Sequence, residues 1–152
     1  MVGGAIDQDY ANKIHEMVAA LPWVQMLGDV PYQRMGSLYA AADLVLNSSV
    51  FEGGMANAML EAMIMGKPVL ASDVLGNRSL ISHNETGWLY RSDDELRELV
   101  RPLLLNPDLD NGIGEAGKNF VKQHCSPQDE AEKYACIYRL LVAEAVKGPR
   151  SG

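Results

Sequence analysis

The chain has 152 residues, of which 47% are hydrophobic and 22% charged, and this composition is typical of one soluble globular domain. The formal net charge of −7 argues against a nucleic-acid-binding surface, which normally carries a basic patch. We expect no membrane span, because no apolar run approaches the roughly 20 residues that a transmembrane helix needs. The two cysteines, Cys125 and Cys136, have neither metal-ligand nor CxxC spacing, so we expect reduced thiols and a cytoplasmic location.

The first third of the chain predicts part of a parallel α/β sheet. Residues 1–4 look like the end of a strand and a glycine turn, and a helix with one apolar face follows. Residues 23–27 predict a short strand that ends at Gly28, residues 32–42 a helix, and residues 44–46 the next strand. Such a βαβ unit implies parallel strands and a right-handed crossover. Because a parallel strand needs more than two residues, we expect that the chain begins inside its domain.

The central stretch, residues 52–72, predicts a glycine turn, a helix over residues 54–65 and a buried strand over residues 69–71. A helix that begins at such a turn leaves its first backbone N–H groups uncovered, and these groups bind anions. The sequence therefore predicts a phosphate site at the start of this helix. The amides concerned belong to Gly53, Gly54 and Met55.

A stripe along the same helix matches the shape of a nucleotide. Gly54, Asn57 and Glu61 stand at i, i+3 and i+7, which places Glu61 roughly 10 Å from the predicted helix start. A carboxylate at that distance accepts hydrogen bonds from both hydroxyls of a ribose whose phosphates lie at the helix start. An ordinary buried helix is the alternative, because four apolar residues follow the helical period. They are Ala56, Met59, Leu60 and Met63.

The strand over residues 69–71 is followed by a turn at residues 75–77, a short helix around residues 78–81, and an edge strand over residues 88–90. Gly76 and Asn77 follow the carboxyl end of a strand, where open α/β sheets bind ligands. A contact to the ligand and a purely structural turn both fit this pattern.

The last third of the chain predicts three helices and a tail. An apolar face of five residues marks the first helix, which ends at Asn106, and the second covers residues 110–123. That face consists of Leu96, Leu99, Val100, Leu103 and Leu104. The last helix begins near Pro127, and we expect it to bury seven apolar residues. These are Ala131, Tyr134, Ala135, Tyr138, Leu141, Val142 and Ala145. Residues 148–152 have the composition of a disordered tail.

Other chemistry has weak support in the sequence. The three histidines, His15, His83 and His124, have no second ligand at metal-binding spacing, so we expect no metal. Ser48 and Ser49 lack the G-x-S-x-G turn of a nucleophile elbow.

These motifs, in this order, resemble the C-terminal, donor-binding half of retaining GT-B glycosyltransferases of the glycosyl transferases group 1 family. The resemblance covers most of the chain. Its matching segments are residues 30–31, 38–43, 48–49, 52–53, 60–63, 66–72 and 86–89. It implies a doubly wound, Rossmann-like parallel sheet, the C-terminal half of a GT-B fold without its first strand and helix.

The resemblance also implies a function: transfer of a sugar from a nucleotide-diphospho-sugar to an acceptor with retention of configuration, without a cofactor or a metal. Glu61 matches the family's ribose-binding glutamate, Glu52 would contact the donor sugar, and Gly28 would lie near the nucleobase. One departure concerns Glu52, because eight residues separate it from Glu61 where the family has seven. Either the turn absorbs the extra glycine, or the role of Glu52 is lost.

The resemblance further implies an N-terminal acceptor domain and a basic pair, an Arg and a Lys, that neutralises the donor diphosphate. Neither belongs to this chain, so we expect residues 1–147 to form a truncated donor-binding domain that is inactive alone. Two other functions are conceivable for such an α/β domain. A dinucleotide-dependent oxidoreductase should show G-x-G-x-x-G after its first strand, and Gly3 and Gly4 do not supply it. A non-catalytic nucleotide-binding or scaffolding module stays open because of the displaced Glu52.

Overall fold

A computed structural model describes residue 1, residues 7–106 and residues 112–146. The chain divides into two compact units, Met1–Ala41 and Ala42–Gly152. The glycine turn predicted at residues 3–4 and the predicted tail lie outside the described residues.

The described residues of the first unit form two helices, α1 (Gln8–Ala19) and α2 (Tyr32–Ala41). Asp7 begins α1, since its side chain accepts a hydrogen bond from the backbone N–H of Tyr10 at 2.9 Å. The predicted apolar face of α1 is its less exposed face, with half-buried side chains. Its residues are Ala11, Ile14 and Val18, with Leu21 just beyond the helix.

The strand predicted at residues 23–27 is wrong, because this segment has no regular strand structure. Its pairing with residue 1 consists of two bonds. The ammonium group of Met1 donates to the Gln25 carbonyl at 2.7 Å, and the Leu27 N–H donates to the Met1 carbonyl at 2.9 Å. Within the part of the chain that the structure describes, no longer ladder forms there, and a strand requires one.

The second unit contains a three-stranded parallel sheet in the order β1-β2-β3. Its strands are β1 (Val45–Asn47), β2 (Val69–Ser72) and β3 (Trp88–Tyr90). In the described part of this unit, five helices follow or connect these strands. They are α3 (Asn57–Ile64), α4 (Leu75–Arg78), α5 (Asp93–Leu105), α6 (Ile113–His124) and α7 (Pro127–Val146). The parallel α/β architecture expected from the sequence is thereby confirmed.

The core of this unit lies around the central strand. Val69, Leu70 and Ala71 of β2 have no exposed surface, as expected of a strand with neighbours on both sides and helices over the sheet. Helix α3 packs its buried Met59 and Met63 toward this region and lies against α6. On the β3 side, α5 covers the cluster of Leu70, Trp88 and Tyr90 with most of its predicted apolar face. Leu104 is the exception and is exposed.

Three of the differences between predicted and observed elements concern α3, α4 and α7. Helix α4 begins at Leu75, where a turn was predicted, because residues 75–78 already form one helical turn. Helix α3 begins at Asn57, three residues later than predicted, since the glycine turn is not helical. The burial predicted for α7 is wrong: Tyr134, Tyr138, Leu141 and Val142 are exposed. No described element covers their face.

Candidate functional site

The carboxyl ends of β1 and β2 lie at the same edge of the sheet, since the two strands are parallel neighbours. The loop that follows β1, residues 48–56, contains the glycine turn, and α4 follows β2. Gly76 of α4 lies directly against this loop. A Cβ atom on Gly76 would overlap the Gly54 carbonyl oxygen and lie 2.5 Å from Cβ of Glu52. The absence of a side chain at Gly76 therefore lets α4 support the glycine turn.

Hydrogen bonds from β2 hold the same loop. The Ser72 hydroxyl donates to the Ser49 carbonyl at 2.5 Å. Asn77, which is completely buried, donates from Nδ2 to the Ser72 carbonyl at 2.9 Å. Its Oδ1 is buried and has no hydrogen-bond partner among the described residues. Of the two roles predicted for the turn at residues 75–77, burial beneath the loop favours the structural one.

Glu52 is half-buried at this edge, and a residue of β1 orients its carboxylate. Asn47 Nδ2 donates to Glu52 Oε1 at 3.2 Å, while Asn47 Oδ1 accepts from the Ser49 N–H at 2.9 Å. The Asn47 carbonyl in turn accepts from the Tyr90 hydroxyl at 3.4 Å. Asn47 belongs to none of the motifs that predicted the site. The sequence feature that could have identified it is a side-chain amide at the carboxyl end of an otherwise apolar strand.

The N-terminus of α3 points into the same loop. Ala56 is its N-cap, and the alanine side chain makes no capping hydrogen bond to the first turn. The N–H groups of Met59 and Leu60 donate to the Ala56 carbonyl, at 2.9 and 3.0 Å. The amides of Asn57 and Ala58 precede these bonds and lie at the positive end of the helix dipole. An anion at this loop would therefore meet helical amides as well as those of the glycine turn.

Each of the two interpretations of α3, a core helix and a ligand-binding helix, describes a different face of it. Met59, Ala62 and Met63 are buried, as an ordinary core helix requires. On the other side, Asn57 is exposed and Glu61 is half-buried. Since the helix begins at Asn57, Glu61 lies one turn, or about 6 Å, along the axis. Gly53, Gly54 and Met55 are exposed in the loop before it.

Gly28, the remaining predicted site residue, belongs to the first unit. Its φ angle of 62° lies in the left-handed region, which glycine adopts without strain. The backbone therefore changes direction at the end of the segment 23–27, with a bend at Asp29 directly after Gly28.

An open cavity of about 590 Å³ adjoins the glycine turn. Met55 and Ser79 line it together with residues of α6 and α7, among them Phe120, His124 and Tyr134. Its volume is in the range of small-molecule pockets. The described residues contain no group of three or more His, Cys, Asp or Glu that could hold a metal ion.

A charged cluster fixes the segment after β2. Asp73, whose side chain is 5% exposed, forms ion pairs with Arg78 at 2.5 Å and with Arg91 at 2.7 Å. Hydrogen bonds from Arg78, which has the larger effect, and from Arg91 lower the pKa of the Asp73 carboxyl to about 2. This cluster joins the carboxyl end of β2 to α4 and to the residue after β3.

The fold and the site together define a Rossmann-like α/β domain with its loops gathered at the carboxyl edge of a parallel sheet. The family profile described as glycosyl transferases group 1 matches residues 1–106. The chain belongs to this family, as the resemblance in its motifs predicted.

Individual proteins agree with this assignment. The chain is 28% identical over 137 residues to glycosyltransferase 1 domain-containing protein 1 of Xenopus tropicalis. That alignment covers 90% of this chain and 39% of the relative, so the chain spans about two fifths of the relative's length.

No described helix is long and apolar enough to cross a membrane.

Solved structures share the fold. The structure of HepE from Anabaena in complex with UDP superimposes with a TM-score of 0.77 and 26% identity, covering 89% of this chain and 40% of HepE. HepE has also been solved with UDP-glucose. The sucrose-phosphate synthase of Thermosynechococcus elongatus gives a TM-score of 0.80 at 25% identity, covering 94% of this chain and 38% of the synthase. These structures confirm the predicted fold class.

Proposed function

We propose that the chain is the donor-binding domain of a glycosyltransferase that transfers a sugar from a nucleotide-diphospho-sugar, with a UDP-sugar as donor. One observation carries the proposal. An exposed glycine turn and the uncapped N-terminus of α3 lie at the carboxyl edge of the sheet, with Glu61 one turn further along the helix. The UDP and UDP-glucose complexes of HepE support the choice of nucleotide.

The site residues divide the donor between them. The phosphates would accept hydrogen bonds from the amides of Gly53, Gly54 and Met55 and from the helical amides of Asn57 and Ala58. The Glu61 carboxylate would accept from the two ribose hydroxyls. Glu52 would contact the sugar, and Gly76 would act through the loop that it supports. We also propose, from the family resemblance alone, that Gly28 lies near the base.

The chemical contribution of these residues is electrostatic. When the sugar leaves, negative charge develops on the nucleoside diphosphate, and preorganised amides at a helix N-terminus stabilise that charge in the transition state. Amides need no proton transfer to do so, and we propose that the domain requires no cofactor or metal. Retention of configuration is part of the proposal and rests on the resemblance to retaining enzymes.

The domain would act together with a partner. Because the chain spans about two fifths of its relative's length, we propose that an acceptor-binding domain and a basic phosphate clamp complete the enzyme. The chain by itself would then bind the donor without transferring the sugar. A cytoplasmic location stays a prediction from the cysteine content.

Calorimetry with UDP, GDP and ADP tests the nucleotide site. We expect the chain to bind UDP, and Glu61→Ala to weaken that binding by about 1–3 kcal/mol, because ribose hydroxyls would lose their acceptor. Glu98→Ala is the matched control: it removes one carboxylate from an exposed position on α5 and should leave binding unchanged. Equal affinity of both variants, or no UDP binding, would contradict the proposal.

A non-catalytic nucleotide-binding or scaffolding module is the second candidate, because an extra glycine displaces Glu52 from the family's spacing. UDP and UDP-glucose distinguish the two functions. A donor domain in which Glu52 contacts the sugar loses UDP-glucose affinity on Glu52→Gln and keeps its UDP affinity. A module that binds the nucleotide alone responds to this substitution equally with either ligand.

A further inference from the structure

The side chain of Asn47 lies where β1, the glycine turn and Glu52 meet. Asn47 is the last residue of β1, and its half-buried amide bridges the Ser49 backbone and the Glu52 carboxylate. Glu52 Oε1 accepts this bond at 3.2 Å. Among the described residues, no hydrogen bond reaches the other carboxylate oxygen, Oε2.

The orientation of this amide follows from its two partners. A backbone N–H can only donate, so the amide oxygen of Asn47 must face Ser49. An ionised carboxylate can only accept, so the amide nitrogen must face Glu52. A side chain at this position therefore needs an acceptor and a donor together, which neither an aspartate nor an apolar residue provides.

Asn47 is itself held firmly enough to orient another group. Its backbone pairs with Ala71 of β2 in the sheet, and its carbonyl accepts from the Tyr90 hydroxyl. Gly76 packs closely against the stem of Glu52, because a Cβ atom on Gly76 would lie 2.5 Å from the Cβ of Glu52. The carboxylate is thus held through one oxygen and from its stem, which leaves Oε2 for a ligand.

We propose that Asn47 is the positioning residue of Glu52, holding Oε1 so that Oε2 accepts a hydrogen bond from a hydroxyl of the donor sugar. The inference rests on the proposed function. Under this proposal the turn absorbs the extra glycine, and the hydrogen bond from Asn47 gives the Glu52 carboxylate a defined direction.

The substitution Asn47→Asp isolates this role. It keeps an oxygen for the Ser49 N–H and replaces the donor with a second negative charge beside Glu52. We expect Asn47→Asp to weaken UDP-glucose binding about tenfold, the usual effect of losing a hydrogen bond to a charged group, and to change UDP binding less than twofold. Asn119→Asp introduces the same charge at an exposed position on α6 and should change neither affinity more than twofold.

Combining Asn47→Asp with Glu52→Gln separates a positioning effect on Glu52 from a general effect on the loop. In Glu52→Gln, the new side-chain amide can donate to the aspartate of Asn47→Asp, so adding that substitution should cost less than twofold in UDP-glucose affinity. Equal losses for UDP and UDP-glucose, an unchanged UDP-glucose affinity, or a tenfold loss in the Glu52→Gln background would each overturn the inference. Failure of the unsubstituted chain to bind UDP would instead overturn the proposed function, and the inference with it.

Discussion

At the scale of single residues, Asp73 shows how the carboxyl edge is stabilised. Its carboxyl pKa is lowered from 3.8 to about 2 by Arg78 and Arg91. A lowered pKa in the folded state stabilises the protein above the unfolded value, and this contribution is lost as the pH falls through 2. Both guanidinium groups are exposed and screened by solvent, so we expect about 1 kcal/mol, less than the full shift would give.

Urea unfolding of Asp73→Asn measures this contribution. The variant should be less stable than the unsubstituted chain by about 1 kcal/mol at pH 6, and the difference should shrink toward zero by pH 2. Asp94→Asn is the control, since the ion pair between Asp94 and Arg97 is fully on the surface. A difference that does not change with pH would mean that the ion pairs are not its source.

At the scale of elements, a hydrophobic period predicts which face of a helix is apolar but not what covers it. For α5 the prediction holds, because β3 lies beneath the face and Trp88 and Tyr90 pack against it. For α7 an apolar face was predicted as well, yet Tyr134 and Leu141 are exposed. Burial depends on contacts with residues distant in sequence, which one helix's own pattern does not contain.

The glycine turn shows the same limit at the site. Its place between β1 and α3, and the polar stripe with Asn57 and Glu61, were predictable from spacing alone. The contacts that support the turn were not predictable, because they come from Ser72 of β2 and Gly76 of α4, which lie later in the sequence. The hydrogen bond from Asn47 to Glu52 depends on how the turn folds back on the strand, and the extra glycine made that path unpredictable.

The contrast between α7 and β2 gives a stability prediction. Leu70→Ala empties a completely buried position and should cost about 2–5 kcal/mol. Leu141→Ala removes the same atoms from an exposed position and should cost less than about 0.5 kcal/mol. Chemical denaturation of both variants checks the pair. A large cost for Leu141→Ala would show that α7 is covered in solution, by another molecule or by a residue outside the described part.

At the scale of the whole molecule, the site residues described together all belong to the second unit. Residues 47–61 and 72–77 lie within Ala42–Gly152, whereas Met1–Ala41 contributes only Gly28 to the proposal. The units also differ in burial: α1 has no buried residue, and β2 is buried along most of its length. Amides in a helix without buried side chains exchange through local opening, so they respond weakly to stabilisation elsewhere.

Hydrogen exchange with and without UDP therefore tests where the nucleotide acts. At 100 times its dissociation constant, a ligand that binds only the folded state adds about 2.7 kcal/mol to the free energy of unfolding. We expect this gain at the slowest amides of α3 and β2, which open only on global unfolding of their unit, and little gain in α1. Glu61→Ala should reduce the gain at a fixed UDP concentration, since fewer sites are filled. Protection that rises first in α1 would place the nucleotide on the first unit and contradict the proposed site.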